Sequence, residues 1–177
     1  TIARAVEGAR LYNNLRRRAD QLALVAEVSK SVNSSLDLKT LMKNVAALIH
    51  ERLGYLYVHL FSVHLNRRLI QYEAGSGGHS RDLVGYTLSL DEPEGMLPWV
   101  ARTAQTVLAS DVTQDDRYRP SPFPPENTQS ELDIPLLYRN EVVGVLDIQS
   151  DKPNAFTEDD RLIFEAVADN IATAIHN

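Results

Sequence analysis

The chain has 177 residues, of which 44% are hydrophobic and 24% charged. That suffices for one domain with an additional element and a real core, and it disfavours intrinsic disorder. The formal charge is −6 and there is no cysteine, which disfavours nucleic acid and anionic membrane as partners and excludes disulfides, thiolate metal sites and a Cys nucleophile.

Residues 2 to about 33 predict one long helix without proline. With Leu11 at heptad position a, Leu11, Arg18, Val25 and Val32 fall at a and Leu15, Leu22, Ser29 and Leu36 at d. The apolar stripe is narrow, which suits a coiled coil; a helix lying on its own domain is the alternative, and the two can divide the helix between them. The basic run Arg16-Arg17-Arg18 is expected to be a solvated face. The chain starts mid-helix, as if cut from a longer protein. No stretch approaches the roughly 20 apolar residues of a membrane helix. No signal peptide is expected, so the fragment is expected to be cytoplasmic without direct membrane insertion, in a parent that can still be membrane-anchored.

Asp37 predicts the cap of a second helix, Leu38 to about Leu53, with Leu41, Met42, Val45, Leu48 and Ile49 on one face and Gly54 just past its end. Tyr57–His64 and Leu69–Ala74 predict a hairpin turning at Asn66-Arg67. Val84–Leu90 predicts a third strand, Met96–Thr103 a short helix with Trp99 and Val100 facing inward, and Thr106–Ala109 a further strand. Ser110–Gln129 is a long loop with four prolines, including Pro124 and Pro125; loops of this length are usually functional.

Glu131–Tyr138 and Val142–Gln149 predict a second hairpin around Arg139-Asn140, where Asn tolerates the left-handed backbone of a tight turn. Pro135 cannot donate to a ladder, so a bulge or a free edge is expected beside it. Thr157 predicts the cap of a last helix with Glu158, Asp159 and Asp160 in its first turn. That helix is apolar over more than half its circumference, so it needs a second partner besides the sheet. Strand runs between terminal helices predict an α+β domain with a mostly antiparallel sheet.

Three segments carry a family resemblance: SSLDLKTLMKNVAALIHERLG, EGMLPWVARTAQTVLASDVTQDDRYRP and SELDIPLLYRNEVVGVLDIQSDKPNAFTEDD. In this order they closely resemble the GAF family of small-molecule-sensing and signalling domains, from about Ser35 to Asn177. The resemblance implies a GAF domain over residues 34–177 behind a signalling helix at 1–33. It also implies a six-stranded antiparallel sheet with the first strand beside the last. The terminal helices would lie on one face, and the short helix and long loop would enclose a ligand pocket on the other. Cyclic-nucleotide-binding members carry an Asn-Lys pair, a Phe and an Asp-Glu pair. The matching positions here are Ser150, Asp151, Phe156, Asp160 and Arg161, and only Phe156 and Asp160 agree, so a cyclic nucleotide is disfavoured. Members that attach a bilin or reduce free methionine sulfoxide use cysteine, which this chain lacks. Haem stays open only through a single axial His, with His59 and His64 on opposite faces of one strand.

Alternation on the last strand sets Val143, Val145 and Asp147 on one face and Val142, Leu146 and Ile148 on the other. The apolar face should meet the helices, leaving Asp147 on the pocket side. The candidate ligand contacts are Asp147, Trp99, Tyr118 and Phe123. The candidate dimer contacts are Leu11, Leu15, Leu22, Val25, Ile171 and Ile175. No catalytic set and no metal site is expected, because no histidine pair has metal-ligand spacing on one face and no nucleophile–base constellation is present. The expected role is a sensor or relay module with an unidentified small molecule and a homodimer through its terminal helices. The expected parent is a signalling protein such as a histidine kinase of a two-component system or a cyclic-di-nucleotide enzyme. The competing expectation is a dimerisation spacer whose pocket is filled by its own side chains.

Overall fold

The computed structural model describes residues 1–34, 37–78, 80–123 and 127–176; the heptad position Leu36, His79 and two of the four loop prolines, Pro124 and Pro125, lie outside them. Helix α1 spans Ile2–Val32 and α2 spans Leu38–Leu53. The Asp37 carboxylate accepts from Thr40 N at 3.0 Å, and Gly54 ends α2 at φ 71°, so the predicted start and stop signals both operate. Strands β1 (Tyr57–His64), β2 (Leu69–Ser76), β3 (Thr87–Ser89), β4 (Val107–Ala109), β5 (Ser130–Tyr138) and β6 (Glu141–Ser150) form one antiparallel sheet in the order β3-β2-β1-β6-β5-β4. The first strand lies beside the last. Helix α3 (Met96–Thr103) covers one face, while α2 and α4 (Glu158–His176) cover the other and α1 lies over them.

The helix face is a closed apolar core. Leu60, Leu132, Ile134, Leu136, Leu146 and Ile148 of the sheet meet Val45, Ile49, Phe164, Val167 and Ile171 of the helices, all buried. Helix α1 is the second partner that the broad apolar surface of α4 requires, and it docks on helices rather than directly on the sheet. Only the later part of α1 docks, through Gln21, Leu24 and Val28. Ile171 is 0% exposed and engaged within the chain, which corrects its assignment to a dimer seam. Val25 and Ile175 pack against the same core but stay half-buried. Leu11, Leu15 and Leu22 remain 59%, 70% and 56% exposed.

The basic run lies largely on the surface, as expected, but two of its arginines reach partners from there. Arg17 donates to the Tyr55 hydroxyl at 2.6 Å and Arg18 to Asp159 Oδ2 at 2.7 Å. The Gln21 amide donates to the buried Asp160 carboxylate, whose other oxygen accepts from Thr157 N at 2.9 Å, while Thr157 Oγ1 accepts from Asp160 N at 3.1 Å. The predicted cap of α4 is thus a reciprocal capping box, and α1 is fastened to it.

Two β-bulges reset the alternation. Between Leu60 and Phe61 the pairing of β1 with β2 shifts, leaving Glu73 as the extra residue. Between Leu136 and Leu137 the pairing of β5 with β6 shifts, leaving Val143 extra. Val142 therefore joins Val145 in the core beneath α3, and Val143 packs with the helix-side core, which corrects the simple alternation. At the bulge, a Cβ on Gly144 would lie 2.5 Å from the Phe61 carbonyl oxygen, a close backbone approach only glycine allows. Pro135 pairs in register with Val145, and β4 reaches only as far as Asp133 along β5, so the proline's other edge is free of β4, as expected. The strand expected over Val84–Leu90 is shorter than predicted: a 3-10 turn at Ser80–Leu83 and Gly85 at φ 83° leave only Thr87–Ser89 paired, with Val84 exposed.

Candidate functional site

Between α3, the long loop and the exposed face of the sheet lies a cavity of about 270 Å³. Its walls are Phe61, Leu83, Tyr86, Leu88, Met96 and Pro98; its floor is polar, formed by His59, Glu131, Asp133, Asp147 and Gln149. Arg119 stands at the rim and donates to Glu94 at 2.7 Å, tying the long loop to the segment before α3.

The floor owes its chemistry to register. Around a two-residue turn at Arg139-Asn140, Tyr138 pairs with Glu141 and Leu137 with Val142. Unbroken pairing would set Asp133 opposite Leu146. The extra residue Val143 shifts the ladder by one, so that Asp133 instead faces Asp147 and Glu131 faces Gln149. Glu131 and Asp133, two apart on β5, share a face with Asp147.

All three carboxylates are buried, with Asp133 only 1% exposed. Asp147 is held on several sides: Gln149 Nε2 donates to both of its oxygens at 2.9 and 3.2 Å, and His59 Nδ1 lies 3.5 Å from Oδ2. Gln149 itself accepts from Thr128 at 2.6 Å. His59 Nε2 meets the Ser80 hydroxyl at 3.0 Å, which donates to the Gly77 carbonyl. The imidazole sits among the rings of Tyr57, Phe61 and Tyr72. It also needs Gly75, where a Cβ would come within 2.6 Å of its ring.

Burial, then the neighbouring charges of Glu131 and Asp147, push the Asp133 carboxyl well above its ordinary range, with Arg117 opposing. Burial alone would also raise Asp147, but hydrogen bonds from His59, Asp133 and Gln149 hold it below that range. Asp133 therefore holds its proton more tightly than an ordinary carboxyl, and Asp147 holds its own less tightly. Asp133 Oδ1 has no hydrogen-bond partner.

Of the residues singled out in the sequence, Asp147 lies on the cavity floor. Trp99, Tyr118 and Phe123 stand behind the wall rather than in it. Trp99 carries the Arg117 guanidinium over its ring at 4.4 Å, Phe123 packs edge-on behind Tyr86 at 6.0 Å, and Tyr118 joins the same apolar cluster. Helix α3 directs Met96 and Val100 inward and leaves Trp99 half-buried, because its buried stripe also runs through Pro98 and Ala101. Glu131, Asp133 and Gln149 were not anticipated. Spacing along β5 offers the first two, but their meeting with Asp147 depends on the bulge.

The GAF domain family matches residues 35–176, and the chain belongs to it. It is a family of signalling and sensing modules. No curated protein matches the chain. Among solved structures, the GAF domain of a phosphoenolpyruvate-protein phosphotransferase from Coxiella burnetii is 21% identical. It superposes with a TM-score of 0.81 over 89% of this chain and 94% of that one. The equivalent Acinetobacter domain is 21% identical with a TM-score of 0.76, covering 88% of this chain and 92% of that one. A free methionine-R-sulfoxide reductase from Neisseria meningitidis, solved with its substrate, is 20% identical with a TM-score of 0.76 and 88% coverage of each chain. These likenesses establish the fold. Among the described residues, no helix is long and apolar enough to cross a membrane.

Proposed function

We propose that this GAF domain is a non-catalytic sensor or signal-relay module of a multidomain, cytoplasmic signalling protein. A histidine kinase of a two-component system or a cyclic-di-nucleotide enzyme is the parent that suits it. A small molecule enters the cavity beneath α3, and α1 with α4 passes the resulting change to a homodimer. The observation that carries this reading is the cavity, because a spacer would fill it with its own side chains. It has instead an apolar wall, a polar floor and a volume near the lower end of ligand pockets, which run from about 300 to 1,000 Å³.

The relay follows from the two ends of α1. Its later part is fastened to the first turn of α4 through Arg18, Gln21 and Asp160. Its earlier part leaves Leu11 and Leu15 exposed, and Leu22 is exposed beside the docked Gln21; these three are the surface on which a second copy would seat. A ligand can act only by favouring one of two helix arrangements. Sedimentation of the intact chain at micromolar concentration is expected to give a dimer that Leu11→Glu with Leu15→Glu converts to a monomer. A monomeric wild-type chain would defeat the relay. Mass spectrometry of the native protein from its own host is expected to show a retained small molecule; a bare chain would favour the spacer.

A further inference from the structure

We propose that Glu131, Asp133 and Asp147 form a binding site for one divalent cation of the hard, oxygen-preferring class (Mg²⁺, Mn²⁺ or Ca²⁺) at the floor of the cavity. This deepens the sensor reading and rests on the same cavity. One oxygen from each carboxylate lies within 4.8 Å of the others, and all three residues are buried. Buried acids are retained where they pair or coordinate, and these three converge on one point. Asp133 supplies the independent sign of a ligand: its side chain is 1% exposed, lines the cavity, and has an oxygen with no hydrogen-bond partner.

The charge of the site favours a divalent metal over an organic ammonium. Three buried acids bring one oxygen each within 4.8 Å of the others, and two positive charges on one small ion offset more of their repulsion than the single charge of an ammonium. An all-carboxylate set selects hard cations over zinc or copper. Ligating carboxylates are normally held by further hydrogen bonds, and Asp147 is held by Gln149 and lies against His59. Arg117 does not fill the position, because it makes paired bonds to Asp115 at 2.9 and 2.7 Å and lies over Trp99. The cavity leaves the outward side of the ion open to water or to an oxygen-bearing small molecule. The ion would thus be the polar anchor of a sensed ligand.

The test is titration of the intact chain, freed of metal with a chelator, with Mn²⁺ alone, read by loss of the free-ion signal in electron paramagnetic resonance. One Mn²⁺ per chain is expected, displaced by excess Mg²⁺ or Ca²⁺. Asp133→Asn and Glu131→Gln should each weaken binding by about tenfold or more, and the exposed Glu141→Gln should leave it unchanged. Thermal melts of the two cavity variants confirm that they fold. No binding at millimolar Mn²⁺ would overturn the proposal, and so would binding that both cavity variants retain, which would place the ion elsewhere. If Mn²⁺ fails while the native protein still carries an organic molecule, the cation site falls and the sensor reading stands. If both fail, the sensor reading falls too.

Discussion

The two faces of the sheet are built from the same strands and do opposite things. On the helix side, Leu60, Leu146 and Ile148 are fully buried against Ile49, Phe164 and Ile171, and the space is closed. On the other side the residues next to them in sequence, His59 and Asp147, floor an open cavity. Period-two alternation lets one strand serve both. The lesson is that stability and recognition are separated by a single residue step. Substitutions on the two faces should therefore differ in kind and not merely in degree.

The largest effect is expected on the closed face. Phe164→Ala removes a ring that is 0% exposed and packs edge-on against Tyr55. It should cost about 3 to 5 kcal/mol in urea unfolding; a loss below 1 kcal/mol would mean this core is looser than described. Next comes the seam between the faces. Gly144→Ala drives a Cβ against the Phe61 carbonyl, which as backbone cannot step aside, and it should cost about 1 to 3 kcal/mol. If that bulge straightens instead, Asp133 loses its place opposite Asp147, and the cavity floor changes with it.

On the open face the sign should reverse. The Asp133 carboxyl is raised above its ordinary value of 3.8, so the folded chain holds a proton that the unfolded chain gives up. Stability therefore falls as pH rises from that value through the raised one. Asp147 is lowered and acts only below 3.8, so the two windows do not overlap. Asp133→Asn removes the falling limb. It should unfold later than wild type at neutral pH, by about 1 kcal/mol, and the gap should narrow towards pH 4, near the carboxyl's ordinary value. Chemical denaturation across pH in a chelating buffer, where no cation holds Asp133 ionised, checks this; a variant less stable than wild type at neutral pH under those conditions would contradict the raised carboxyl. The smallest effect belongs to the surface. Arg18→Ala breaks an ion pair whose side chains are 40% and 66% exposed, and it should cost no more than about 1 kcal/mol.

Much of the closed face was legible in the sequence. The Asp37 and Thr157 caps, the Gly54 stop and the turn at Arg139-Asn140 are local signals, and local chemistry decides them. The three GAF-like segments supplied the strand order, which periodicity alone does not. The cavity floor was only half legible. Asp147 emerged because an acid on a strand whose other face is apolar has one place to go. The Asp133–Asp147 pair did not emerge, because it depends on Val143 being an extra residue. That bulge is set by contacts with β1 and β5 and by the room Gly144 leaves. The aromatics Trp99, Tyr118 and Phe123 were placed at the right end of the molecule but one layer too far forward. Side-chain direction in a long loop and on a two-turn helix follows from packing and not from spacing. The partners that Arg17 and Arg18 reach from the surface, Tyr55 and Asp159, were not legible for a similar reason: they are remote in sequence.

The central claim is that the carboxylate floor opposite the closed core exists to hold a ligand. Mass spectrometry under native conditions, on protein isolated gently from its own host, tests it most directly when wild type and Asp133→Asn are compared side by side. The account predicts added mass on the wild-type chain, from the cation or from a molecule anchored by it, and its loss from the variant. A bare wild-type chain, or the same added mass on both, would contradict it.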